Sequence, residues 1–172
     1  MKRMIMTVLC MAIVVVCGAA LSQETVNKEM ENVLTKKQQG LVAMAAFEAK
    51  GDIEGLKTAI TAALNDGVAV NEVKEALSQL YAYTGFPRSL NALKEVVEER
   101  ASKGIKNNVG RDSSPLPADY DALKQGTEVQ TRLGGGNPFK YDFAPATDYY
   151  LKAHLFGDIF ARDILTFPER EL

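Results

Sequence analysis

The stretch "QLYAYTGFPRSLNAL", Gln79 to Leu93, closes one helical pattern and opens another almost at once. Gly85 stands where a helix end calls for a left-handed residue, and Pro87 stands where the first turn of the next helix has no use for an N–H. Gly85 and Pro87 therefore predict a tight helix-helix corner. The corner carries Tyr81, Tyr83, Arg88 and Asn91, more polar and aromatic chemistry than a turn requires.

Outward from this corner, helical patterns continue on both sides. On the N-terminal side, Thr35 with Gln38 forms a capping-box signal ahead of the alanine-rich "GLVAMAAFEAK". Such an almost wholly apolar helix is expected in the middle of a bundle. Asp52 is the expected N-cap of the next helix, with Ile53, Leu56, Ile60 and Leu64 on one stripe and Gly67 at its end. Asn71 is the expected cap of the third, which sets Val70, Val73, Leu77, Leu80 and Tyr81 on a core face. The fourth is expected to bury Phe86, Leu90, Leu93 and Val97, to expose "KEVVEER" and to stop at Gly104.

Residues 105–140 read as a turn-rich linker around one short helix, Ala118 to Leu133. Helical patterning returns from Phe143 to Leu165. The closing "LTFPEREL", Leu165 to Leu172, aligns with "LTKKQQGL", Leu34 to Leu41, and Thr166 with Glu169 repeats the capping-box signal. This predicts a second helical repeat that begins in residues 141–172 and is cut off in its first turn.

The first residues combine Lys2 and Arg3 with an apolar run from Met4 to Val16 and then small residues, the pattern of a signal peptide cleaved after Ser22. The run is too short for a membrane span of about 20 apolar residues. The expected product is periplasmic or secreted, with no membrane attachment after cleavage. A lipid-modified Cys17 ranks lower, because Val16 replaces the small residue such signals place there. Cys10 and Cys17 are the only cysteines, so the exported chain is expected to hold no disulfide, thiolate metal site or nucleophilic thiol.

At 47% hydrophobic and 24% charged, the composition is that of an ordinary folded domain. Without residues 1–22 the chain loses two bases and no acid, leaving 22 acidic residues against 18 basic ones. That balance argues against a nucleic-acid partner.

Over Leu64 to Val96, "LNDGVAVNEVKEALSQLYAYTGFPRSLNALKEV", the chain resembles the carboxymuconolactone decarboxylase family of the wider alkylhydroperoxidase group, more weakly over about 34–100. The stretch from Phe143 to Leu172 resembles the segment joining the two copies in exported, two-repeat members. The resemblance implies an all-α helical bundle over 34–104, assembled as a homo-oligomer, a trimer or hexamer, with small-molecule pockets near subunit contacts. Redox members use a relay of glutamate, two cysteines and histidine, which the family spacing places here at Gly40, Asp52, Gly55 and Ala59. All four positions are emptied, and Glu171 is the glutamate equivalent of the second copy. The remaining chemistry the resemblance implies is a lyase or decarboxylase that needs no cofactor and acts on a small organic acid or lactone. A non-catalytic oligomeric or small-molecule-binding module is the alternative, and peroxide reduction would require cysteines in a second repeat.

Candidate site residues follow. Tyr81 and Tyr83 offer phenol donors, with Arg88 as anion anchor and Asn91 orienting it. Tyr81 reads first as core, since it shares the stripe of Leu77 and Leu80. His154, Asp158 and Arg162 recur at helical spacing, so His154 is a candidate base oriented by Asp158, or a structural residue beside an Asp158–Arg162 pair. His154 and Asp158 supply too few ligands for a metal, and none is expected.

Overall fold

The computed structural model describes residues 33–102 and 108–172; among them every regular element is helical. The expected signal peptide and Gly104 lie outside the described residues. Helix α1 spans Lys36–Lys50, α2 Ile53–Asn65, α3 Val70–Gln79, α4 Tyr81–Thr84 and α5 Phe86–Ser102. After the linker come α6, Ala122–Leu133, and α7, Pro145–Tyr149, which runs straight into a π-helical segment, Tyr150–Ile159. Helix α8, Phe167–Glu171, follows.

Local chemistry sets most of these boundaries. Thr35 Oγ1 accepts from the Gln38 N–H at 3.2 Å while Gln38 Oε1 accepts from the Thr35 N–H at 2.9 Å, a complete capping box at the start of α1. Gly51 ends α1 at φ 72°, and Asp52 Oδ1 accepts from the Gly55 N–H to start α2. The third helix departs from expectation. Asn71 does not cap it; α3 begins at Val70, with Glu72 Oε2 accepting from the Ala69 N–H at 2.9 Å. The N–H groups of Val70 and Asn71 donate to the carbonyls of Asn108 and Val109, so the returning chain satisfies donors that a cap would otherwise serve. The Asn71 amide instead donates to the Arg111 carbonyl and Asp112.

The core joins Leu41 and Met44 of α1, Leu56 and Ile60 of α2, Val73 and Leu77 of α3, and Ala92 and Val96 of α5. Helix α1 buries one face only, so it borders this core rather than running through its middle. Helix α5 is turned relative to expectation. Phe86, Leu90 and Val97 are 61%, 61% and 56% exposed, whereas Ser89, Ala92, Glu95 and Val96 are buried. The small side chains let α5 lie close to α3, where Ser89 Oγ donates to the Leu77 carbonyl at 2.8 Å. "KEVVEER" is therefore only partly a solvated face.

Beyond the linker, α6 packs against the π-helical segment. It starts at Ala122 rather than at Ala118, because Asp121 caps it and Tyr120 closes a turn onto the Pro117 carbonyl. Gly126 and Gly157 form the crossing: a Cβ on either would collide with a carbonyl oxygen, of Lys152 and of Ala122 respectively. Tyr120 Oη donates to the Gly157 carbonyl at 2.6 Å, and Asp148 and Lys152 form a buried ion pair at 2.7 Å.

The C-terminal segment returns to the first core. Leu165 is buried within it, and α8 carries a second complete capping box, Thr166 with Glu169. Lys37 bridges the two helix starts, reaching Glu72 at 2.6 Å and Glu169 at 2.8 Å. Burial works to lower the lysine's pKa, but the hydrogen bonds and charges of these two carboxylates outweigh it and hold it above its ordinary value.

Candidate functional site

The helix breaks at Leu80, so Tyr81 and Tyr83 sit on the separate short α4 instead of extending the face of α3. Two residues of helix are about 200° of rotation. The two side chains accordingly serve different cavities.

Tyr81 lines a cavity of about 220 Å³ between α3, α5 and the end of the π-helical segment. Its ring stacks on Phe86 with centroids 4.3 Å apart, and Leu90, Leu93 and Ile159 complete the apolar wall. The Tyr81 hydroxyl is buried and has no hydrogen-bond partner. On the polar side, Glu75 is 5% exposed and accepts from Arg170 Nη2 at 2.8 Å and from Arg162 Nε at 3.0 Å. The Arg170 side chain is fully buried; its Nη1 donates to Gln79 Oε1 at 2.7 Å, and Gln79 Nε2 returns a bond to the Arg170 carbonyl at 2.8 Å. Arg162 differs in being half exposed, and its terminal nitrogens make no hydrogen bond among the described residues. One carboxylate facing two guanidiniums leaves this corner with an excess positive charge and free donors, the setting in which an anion binds.

His154 lies next to this cavity without lining it. Its Nδ1 is 2.7 Å from Asp158 Oδ2, and its ring centroid is 5.6 Å from that of Tyr81. Asp158 thus orients His154, and the alternative Asp158–Arg162 pair is absent. The regular helical face expected to hold all three ends near Ile159, so Arg162 turns back to Glu75.

Tyr83 lines the larger cavity, about 660 Å³, together with Glu171 and residues of α6, the following loop and the π-helical segment. Burial and, after it, the charge of Glu171 raise the pKa of the Tyr83 phenol. Arg88 is in neither cavity: its guanidinium donates to the Ala49 carbonyl and closes the C-terminus of α1. Asn91 is exposed on α5 and has no partner among the described residues. The structure therefore pairs Tyr81 with His154 and Tyr83 with Glu171, and sets Arg88 and Asn91 apart from both.

As site residues, Glu75, Gln79, Arg162 and Arg170 escape the sequence reading, which names Arg162 only as a structural partner of Asp158. The one local clue is that Glu75 and Gln79 are four apart on α3, one helical turn, and hence share a face. The relay positions serve packing and capping. A Cβ at Gly40 would stand 3.0 Å from that of Ala63, the ring of Phe47 fills the space over Gly55, Ala59 is buried, and Asp52 is a cap. Among the described residues no three His, Cys, Asp or Glu side chains converge as metal ligands.

The described helices form an all-helical bundle with the Gly85–Pro87 corner beside a small cavity. The sequence model of the carboxymuconolactone decarboxylase family matches residues 19–98, and over this stretch the chain is similar to that family. No curated protein matches the chain. The matched stretch supplies Glu75, Tyr81 and Tyr83, while Arg162, Arg170 and Glu171 come from beyond it.

Proposed function

We propose that this chain is an exported, cofactor-free family member that binds a small organic acid or lactone in the 220 Å³ cavity and acts on it there. One observation carries the reading: Tyr81, whose buried hydroxyl has no partner, and Arg162, whose terminal donors are unused, line the same cavity. Buried polar groups in native proteins are nearly always paired, and a ligand carbonyl supplies the missing acceptor for Tyr81. Arg162 holds the carboxylate, taking the anchoring role that the sequence assigns to Arg88. Glu75, saturated by two arginines, positions Arg162 and is not a base.

The lyase step draws on the same groups. The Tyr81 O–H stabilises negative charge developing on the bound carbonyl, and His154, oriented by Asp158, exchanges the proton at the cavity edge. Thiol-based peroxide reduction gains no support, since the only cysteines are Cys10 and Cys17, both within the expected leader. Calorimetric titration of the full chain with small mono- and dicarboxylic acids and lactones tests the reading. Arg162→Gln is expected to weaken acid binding at least tenfold, about 1.4 kcal/mol; unchanged affinity contradicts it.

Self-association is the second reading, favoured by the exposed row Phe86, Leu90 and Val97. Leu90→Glu is expected to lower the mass seen by light scattering.

A further inference from the structure

We propose that the 660 Å³ cavity is a second, separate small-molecule site, which takes an organic cation with an aromatic body, an arylalkylamine being the simplest case. Its size falls within the range of small-ligand sites. Four rings line it, those of Tyr83, Phe139, Tyr141 and Phe156. Phe139 and Tyr141 are fixed edge to face with centroids 4.4 Å apart, so part of the wall is organised before any ligand arrives.

Charge selects the ligand. Glu171 is the one ionisable carboxylate in the lining, and no lysine, arginine or histidine accompanies it. An anion would meet uncompensated repulsion and aromatic ring faces of the same sign, whereas an ammonium group meets a carboxylate and ring faces that attract it. Gln130 adds a second acceptor. It is 8% exposed, and its Oε1 is buried without a partner, a deficit that an ammonium N–H can fill. A tyrosine phenol is neutral at neutral pH, and partial desolvation and Glu171 push that of Tyr83 further up, so it adds no competing negative charge.

This site is distinct from the acid-binding cavity in charge and in lining. Tyr83 is the only lining residue that lies within the family stretch of 19–98. Its ligand is therefore set by the linker and C-terminal segments.

The test is calorimetric titration of the full chain with 2-phenylethylamine, 2-phenylethanol and phenylacetate. The amine is expected to bind roughly tenfold more tightly than the alcohol, the effect of one partly exposed charge contact, and phenylacetate more weakly than either. Glu171→Gln should remove the difference between amine and alcohol, and its thermal melt should match that of the parent because Glu171 is exposed. Arg162→Gln should leave amine affinity unchanged, which separates this site from the acid-binding one. Phe139→Ala, at a half-exposed ring, should weaken amine and alcohol alike. The proposal is overturned by absence of saturable amine binding, by phenylacetate binding as tightly as the amine, or by an amine preference that survives Glu171→Gln.

Discussion

Arg170 Nη2 donates to Glu75 Oε1 at 2.8 Å across 95 residues of sequence, with both side chains out of contact with bulk water. This contact ties the C-terminal helix to the first bundle, and its Glu75 end forms part of the polar side of the 220 Å³ cavity. Its worth lies in the pairing of charges, since a buried charge left alone is far more costly than a buried pair.

Glu75→Gln is accordingly expected to cost roughly 3–5 kcal/mol in urea unfolding, because it strands the Arg170 guanidinium. Arg162→Gln should cost no more than about 1 kcal/mol, because that side chain is half exposed and Glu75 keeps Arg170. Equal losses for the two variants would contradict this division of roles.

The crossing of α6 with the π-helical segment depends on bare backbone. Gly126→Ala should destabilise the protein by about 1–3 kcal/mol or more, since its methyl meets only backbone, the Lys152 carbonyl and the Gly157 nitrogen, which cannot give way as a flexible side chain can. Gly135→Ala meets nothing within 4 Å, yet φ is 80° there, so about 1–2 kcal/mol of backbone strain is expected. Thermal melts of the two variants check the ranking. Hydrogen exchange should place the loosening caused by Gly126→Ala in α6 and residues 150–159.

Asp163 holds the linker to the turn after the π-helical segment. The Ser114 N–H and hydroxyl, then Arg111, keep its carboxyl well below the usual carboxylate range. A carboxyl depressed on folding stabilises the fold while ionised. That contribution is complete above about pH 4 and is lost as pH falls through the folded-state value. Asp163→Asn should lower stability at neutral pH and flatten the acid limb of a stability–pH curve; an unchanged acid limb would show that the tether contributes nothing.

Turning of α5 makes a further contrast. Leu77→Ala, at a fully buried position, should cost about 2–5 kcal/mol. Leu90→Ala should stay within about 1 kcal/mol, despite the same change in chemistry, because Leu90 is mostly exposed. Urea midpoints of the two variants distinguish them.

Caps and corners are legible in the sequence because their chemistry is local. Thr35 with Gln38, Thr166 with Glu169, Asp52, Gly85 and Pro87 each act within a few residues of themselves. Helix faces are legible only while the helix keeps its period. The break at Leu80 sends Tyr81 and Tyr83 to different cavities, and the π-helical spacing and early end at Ile159 release Arg162 from the face of His154. Apolar periodicity alone assigns Phe86, Leu90 and Val97 to the core, but the packing of α5 on α3 favours the smaller Ser89 and Ala92. Glu75 with Arg170 has no local signature, because the partners meet only after the chain has folded back. The relay positions were readable as emptied, and the packing around Gly40 and Gly55 gives the reason they stay so.

The central claim is that the buried Tyr81 hydroxyl is kept for a ligand. Tyr81→Phe removes only that oxygen, so thermal stability and acid or lactone affinity of the one variant decide the matter together. Stability equal to or above the parent's, by up to about 1–3 kcal/mol for relief of an unpaired buried group, with affinity lowered at least tenfold, is the expected result. Loss of stability with affinity unchanged would contradict it, because the hydroxyl would then serve the fold and not the site.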